Sequence, residues 1–305
     1  MTPASKAQSD RDISPLRQEG DQLPSVHEQQ ILGLIAGQGR LPFLVADGAR
    51  SAGLWVVCVG FRNQAESALR DHVDSFSWVP VARPGSWIRR LRRQGVRETI
   101  MVGRVAKRRI YTPWRILQYL PDWRAFRIWY HRLRGKDKRN DTLLAALADE
   151  LATGGIILEN SVKYCEQHLA REGVMTRCKP GESVLRDIEF GWEIVKQMGA
   201  LDIGQAIAVK EQEVIAVEAM EGTDAMIERA GALCKSGGWT LIKTAKPNQD
   251  MRFDVPTVGC GTIENLKRNK AACVAVEADK TLILDLGETI ELANRCKISV
   301  VGHKR

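Results

Sequence analysis

The sequence predicts an α/β protein: a Rossmann-like N-terminal domain and a second mixed α/β C-terminal domain. Three observations carry that reading. Short apolar runs at 30–36 (QILGLIA) and 54–60 (LWVVCVG) have the length and composition of strands buried on both faces. Segments with helical spacing alternate with such runs, which is the signature of a parallel sheet with crossover helices. A chain of 305 residues also exceeds what one hydrophobic core ordinarily organises.

The elements follow in order. Residues 1–29 are polar and carry Pro3, Pro15 and Pro24, so a disordered tail is expected. A strand at 30–36 runs into Gly37-Gln38-Gly39, then a helix at 41–52 with Pro42 in its first turn, ended by Gly53, and a strand at 54–60. A helix at 86–94 and a strand at 98–102 lead to Gly103-Arg104. A basic, aromatic insert at 104–136 is expected to be helical over 111–134, broken at Pro121. An amphipathic helix at 141–151 and a strand at 155–158 complete the first domain, drawn as 30–165. The second domain, 166–305, opens with a helix at 184–198 ended by Gly199, then a hairpin of 206–209 with 214–218. A helix at 223–234 follows, with Thr223 and Asp224 as its expected caps, then a strand at 240–244. Residues 246–261 are too polar and too rich in Pro and Gly for regular structure. A helix at 262–270, strands at 272–276 and 281–284, a helix at 287–296 and a strand at 298–301 close the chain.

Composition narrows the function classes. With 44% hydrophobic and 27% charged residues the chain is neither fibrous nor wholly disordered. No apolar window is long enough to cross a bilayer and no secretory signal is visible, so a cytoplasmic location is expected, or a peripheral one on the inner face of the membrane. Seven cysteines without a CxxC pair read as small core residues. Five histidines without HExxH or His-x-His spacing argue against a zinc hydrolase. The net charge of +8 is unevenly placed: residues 83–139 hold eighteen Lys/Arg against three Asp/Glu, and the remainder twenty-seven against thirty-four. A uniformly basic nucleic-acid binder would not show this, and no nucleic-acid partner is expected.

Two places hold chemistry. Gly37-Gln38-Gly39 with Arg40 lies between a strand and a helix, where a phosphate turn and a plain tight turn both fit. The dinucleotide fingerprint is incomplete: Pro42 stands at the third glycine, and Cys58-Val59-Gly60 offers no acid for a ribose. In the second region Glu218, Glu221 and Asp224 cross from a strand end into a helix, and Asp250 and Asp254 share a loop with Lys246, Gln249 and Arg252, close after Lys243. Carboxylates interleaved with cations suit metal-assisted phosphate chemistry. The alternative is solvated turn residues with Asp224 as a simple cap.

The blocks GLIAGQGRLP (33–42), RNDTLL (139–144), LDIGQAIAV (201–209), AVEAMEGTDAMI (216–227) and KTAKPNQDMRFDVPTVG (243–259) resemble the two-domain UDP-2,3-diacylglucosamine pyrophosphatase family. The resemblance spans roughly 31–302. It implies metal-dependent hydrolysis of UDP-2,3-diacylglucosamine to UMP and 2,3-diacylglucosamine 1-phosphate, with Mg²⁺ or Mn²⁺ and the nucleotide-lipid lying between the domains. It implies Asp254 and Asp224 as catalytic residues, and Asp254, Asp224 and Glu221 as metal ligands. Gly37, Gly39, Arg40, Gly103, Asp141, Thr223, Lys243, Lys246 and Gln249 are the implied substrate contacts. Gln38 and Asn140 depart from the family's glycine and aspartate. Trp114, Trp123 and Trp129, set among arginines and aliphatics, describe an interfacial helix that would place 104–136 on an anionic membrane surface. A homodimer is compatible with the sequence. The competing classes are an NAD(P)-dependent oxidoreductase, with Arg40 or Arg62 at a 2′-phosphate, and a non-enzymatic membrane or nucleic-acid binder.

Overall fold

The computed structural model describes residues 30–105, 121–128, 130, 140–247 and 249–304. The expected tail at 1–29 and most of the insert, with Trp114 and Trp129, lie outside the described residues.

Strands β1 (Ile31–Ala36), β2 (Trp55–Phe61), β3 (Ser75–Val79), β4 (Glu98–Val102) and β5 (Ile157–Leu158) form one parallel sheet in the order β3-β2-β1-β4-β5. Their apolar runs have no polar face because both faces are covered. Leu32, Leu34 and Ala36 enter a core with helix α1 (Leu41–Ser51), while Ile35, Val57 and Val59 enter another with α2 (Pro84–Arg93) and α4 (Asn140–Thr153). Strand β3 has no counterpart in the sequence reading, because SFSWV is only half-buried over most of its length. Between α2 and α4 lies α3 (Trp123–Arg127), a described piece of the insert.

The second sheet has the order β6-β13-β11-β9-β7-β8, built from β6 (Gly173–Val174), β7 (Ala206–Lys210), β8 (Glu213–Val217), β9 (Thr240–Lys243), β11 (Cys273–Glu277) and β13 (Ser299–His303). β9, β11 and β13 are parallel, while β6 and β7 join them antiparallel and β7–β8 is the expected hairpin. Helix α5 (Glu182–Ala200) covers one face through Trp192 and Val195. Helices α6 (Thr223–Leu233), α7 (Cys260–Arg268) and α8 (Leu286–Cys296) cover the other. The expected stop at Gly199 is corrected: α5 runs through it to Ala200. A side chain there would meet Pro247 at 3.4 Å, an ordinary van der Waals distance, so neither helix termination nor close packing demands glycine at this position.

Short strands β10 (Thr257–Val258) and β12 (Leu282–Ile283) pair in parallel beside this sheet. The chain that carries them binds the two regions together. Val255 and Leu282 are buried in the same core as Leu34 and Val45 of the first region, and Ser161 N–H donates to the Met251 carbonyl at 3.1 Å. The polar loop at 246–256 is therefore pinned at the seam by its few apolar residues. Cys58, Cys165 and Cys273 are buried as expected, the other four only partly, and burial pushes the Cys165 thiol up to about 12. Among the described residues no helix is long and apolar enough to cross a membrane.

Candidate active site

The order of the first sheet reverses between β1 and β4, the place where open α/β sheets hold ligands. Here the loops leaving those strands touch. Gly37 N–H donates to the Val102 carbonyl at 2.8 Å, and Gln38 and Arg104 exchange backbone hydrogen bonds of 2.8 and 2.9 Å. Glycine is required on both sides of the crossing. A Cβ on Gly37 would lie 2.7 Å from the Arg104 carbonyl oxygen, and one on Gly103 (φ +97°) would lie 2.7 Å from Gly37. The N–H groups of Gly37 and Gln38 are thus spent on the bridge. The expected phosphate cradle is corrected at Gly37: it makes the crossing, and Gly39 alone of the two glycines faces the cavity beyond it.

That cavity, about 830 Å³, lies between the two regions. Arg40 and Arg104 enter from the first region, and Thr223, Asp224, Lys243, Asp254, Arg268 and Asp285 from the second. The N-termini of α1, α6 and α7 open onto it through Leu41, Thr223 and Cys260-Gly261-Thr262. Peptide dipoles and side-chain cations together make the lining favourable to a phosphate-bearing ligand.

Lys243 is the buried centre of this arrangement. Its ammonium donates to the Thr257 carbonyl at 3.1 Å and to Thr223 Oγ1 at 3.3 Å. Burial pushes its pKa below the ordinary lysine value, against the pull of Glu218, Asp254 and Asp224, and with Arg104 adding to the depression. Thr223 does not cap α6. Gly222 (φ +86°) precedes the helix, and the Thr223 hydroxyl donates to Glu218 Oε1 at 2.8 Å instead. The buried Glu218 Oε2 has no hydrogen-bond partner among the described residues.

Of the residues expected from the sequence, Gly39, Arg40, Gly103, Glu221, Thr223, Asp224, Lys243 and Asp254 line the cavity. Lys246 and Gln249 do not: the Lys246 ammonium pairs with Asp202 and ties the loop to the end of α5, while its N–H donates to Gln249 Oε1 at 2.8 Å, which braces the loop. The Asp141 side chain lies outside the described residues. Glu221 reaches the cavity, but its carboxylate accepts from Arg229 at 2.6 Å and from Ala219 N–H at 3.2 Å. The expected three-carboxylate ligand set is therefore not assembled, and among the described residues no group of three His, Cys, Asp or Glu is placed to hold a metal ion. Asp224 and Asp254, which line the cavity and act on Lys243, form the candidate pair. Two carboxylates suit Mg²⁺ or Mn²⁺ when phosphate oxygens complete the shell, so the donor set fits such an ion bound together with its substrate.

Arg104, Arg268 and Asp285 were not foreseen. A signal existed for the first: Gly39-Arg40 follows β1 and Gly103-Arg104 follows β4, the same pair after neighbouring strands. No local pattern marks Arg268 or Asp285, which arrive from elements distant in sequence.

Comparison with known families matches residues 31–168 to the LpxI N-terminal domain and residues 171–301 to the LpxI C-terminal domain. The UDP-2,3-diacylglucosamine pyrophosphatase LpxI of Caulobacter vibrioides is 29% identical over 278 residues, covering 89% of this chain and 96% of that protein. The two adjoining matches run from residue 31 to residue 301 in the order N-terminal then C-terminal domain. The chain belongs to the LpxI family.

Proposed function

We propose that this chain hydrolyses the diphosphate of UDP-2,3-diacylglucosamine, releasing UMP and 2,3-diacylglucosamine 1-phosphate for lipid A assembly. The observation that carries the reading is the grouping of Asp224 and Asp254 around buried Lys243, in a cavity also reached by Arg40, Arg104 and Arg268. The Caulobacter relative bears the name of this activity. The cavity volume is also that of an ordinary small-ligand site.

The arginines hold the two phosphates, with the sugar-side phosphorus toward Asp254. Asp254 orients the attacking water and accepts its proton as the new P–O bond forms. The bridging P–O bond breaks, and UMP leaves carrying the bridging oxygen. Lys243, fixed by two oxygen acceptors, offsets the charge that develops on the phosphates in a buried setting where such charge is costly. A divalent ion held by Asp224 and Asp254 would neutralise phosphate charge and lower the pKa of the water.

The oxidoreductase alternative loses support at the Gly37–Gly103 crossing, where backbone donors needed for a pyrophosphate are occupied. The deciding experiment incubates the purified chain with UDP-2,3-diacylglucosamine and Mg²⁺ or Mn²⁺, then measures UMP. Release of UMP, abolished by a chelator, is expected. Tight NADPH binding without UMP release would overturn the reading.

A further inference from the structure

The described part of the insert carries a sorted surface. Trp123, Phe126 and Tyr130, at positions i, i+3 and i+7, are 74%, 44% and 42% exposed. Their rings stack in a row, with centroids 5.5 Å apart between Trp123 and Phe126 and 5.9 Å between Phe126 and Tyr130. The opposite side of the same segment is turned inward. Arg124 and Arg127 reach the buried Glu150 of α4 at 2.6 Å each, and Ile128 packs on Ala146 and Leu147. Asp122 holds the start of α3 by accepting from Ala125 N–H at 2.9 Å and from Gly85 N–H of α2 at 2.8 Å. The aromatic row is therefore presented by a fixed element, with Arg124 and Arg127 as its anchors.

Helix α2, which α3 packs against, supplies the charge. Arg89, Arg90, Arg92 and Arg93 are exposed, and none has a carboxylate partner among the described residues. We infer that the Trp123–Phe126–Tyr130 row and the α2 arginines form a docking surface for an anionic lipid bilayer, the rings entering the headgroup zone and the guanidinium groups meeting lipid phosphates. Trp and Tyr favour that zone because each joins an apolar ring to a polar atom. Each basic residue near an anionic surface strengthens binding about fivefold, and salt weakens the attraction. Nucleic acid fits less well. Phe126 is stacked on both Trp123 and Tyr130, so the middle ring of the row is not open to a base.

The test uses the full chain and vesicles that contain no nucleotide-lipid, so its outcome is independent of the proposed hydrolysis. Co-sedimentation with phosphatidylglycerol-containing vesicles is compared with pure phosphatidylcholine vesicles, from about 50 to about 500 mM NaCl. Binding is expected to the anionic vesicles only, and to fall at least about tenfold over that range. Trp123→Ser with Phe126→Ser should lower it about tenfold or more, and Ser at Arg89, Arg90, Arg92 and Arg93 about a hundredfold or more. Trp123→Ser alone, at the most exposed of these positions, is the control should the double variant melt early. Equal binding to both vesicle types, or none to either, overturns the inference. So does loss with the arginine variant while the aromatic variants bind normally, or tighter capture of an RNA oligonucleotide lost in the same variants.

Discussion

Arg40 and Asp285 close a contact across the cavity: the Arg40 Nε donates to both carboxylate oxygens of Asp285, at 2.9 and 3.0 Å. The first residue follows β1 and the second precedes α8, so the pair joins the two regions over the cavity they enclose. Both side chains are partly exposed, and such a pair stabilises by about 1 kcal/mol or less. Its importance lies in holding a cation that a phosphate would otherwise claim. Asp285→Asn keeps a residue tolerant of the left-handed backbone found there (φ +46°) and removes the competing charge. We expect that variant to leave the KM for the nucleotide-lipid unchanged or lower it, whereas Arg40→Ala raises it about tenfold. Both should melt within about 4 °C of the parent. An unchanged KM in Arg40→Ala removes this residue from the phosphate site.

Asp254 tests the chemistry directly. It stands in the loop pinned by Val255 in the first core and lines the cavity beside Lys243. Asp254→Asn preserves volume and should lower kcat at least about a hundredfold with little change in melting temperature. Retention of substrate by the inactive variant, seen by equilibrium binding, separates lost chemistry from lost binding. Near-parental turnover would falsify the assignment.

Lys243 gives the reaction an alkaline limit. Burial lowers its pKa, so the ammonium is lost at a pH where an ordinary lysine would keep its proton. If the cation is needed, kcat/KM should fall on the alkaline side below the usual lysine range, and Lys243→Met should abolish both activity and that limb. Stability moves the other way. Between the lowered folded value and the ordinary value of 10.5, the unfolded chain holds a proton that the native chain has released. The contribution of this group to stability therefore rises with pH through that window. Melting temperatures of parent and Lys243→Met across alkaline pH check the sign.

Much of the fold was legible because the chain states it locally. Residues 31–36 and 55–61 are uninterrupted apolar runs, and such runs fit only a strand covered on both faces. The hairpin around Glu211 and Gln212 and the helix at 223–233 were equally plain, since turn residues and helical spacing sit side by side. What stayed hidden depends on partners far along the chain. Gly37 looked like a phosphate glycine and proved to be a crossing point, because the constraint on it comes from Gly103. Thr223 looked like a cap and serves Glu218, and Glu221 looked like a ligand and serves Arg229. Residue type and spacing identify groups able to do chemistry. Which neighbour occupies each group is decided by tertiary contacts.

Glu150 ties α3 to α4 through Arg124 and Arg127. The carboxylate is buried on α4 and accepts from Arg124 and Arg127 of α3, both more exposed than it is. Burial alone would raise its pKa, but the hydrogen bonds and charges of Arg127 and Arg124 outweigh this and hold it below the ordinary value of 4.5. The native carboxylate thus releases its proton at a lower pH than the unfolded one, so its contribution is present at neutral pH. That contribution is lost as pH falls through the lowered value. Replacing Glu150 with Gln keeps the shape but removes the charge, and should cost about 1.5–3 kcal/mol, the range for a hydrogen bond to a charged group. The loss should be local first. Amide hydrogen exchange of residues 123–127 at neutral pH should accelerate in Glu150→Gln while the strands of both sheets remain protected, and the parent should approach the same behaviour on acidification. Unchanged exchange over 123–127 in the variant would mean that Asp122 and the packing of Ile128 hold this segment without the ion pairs.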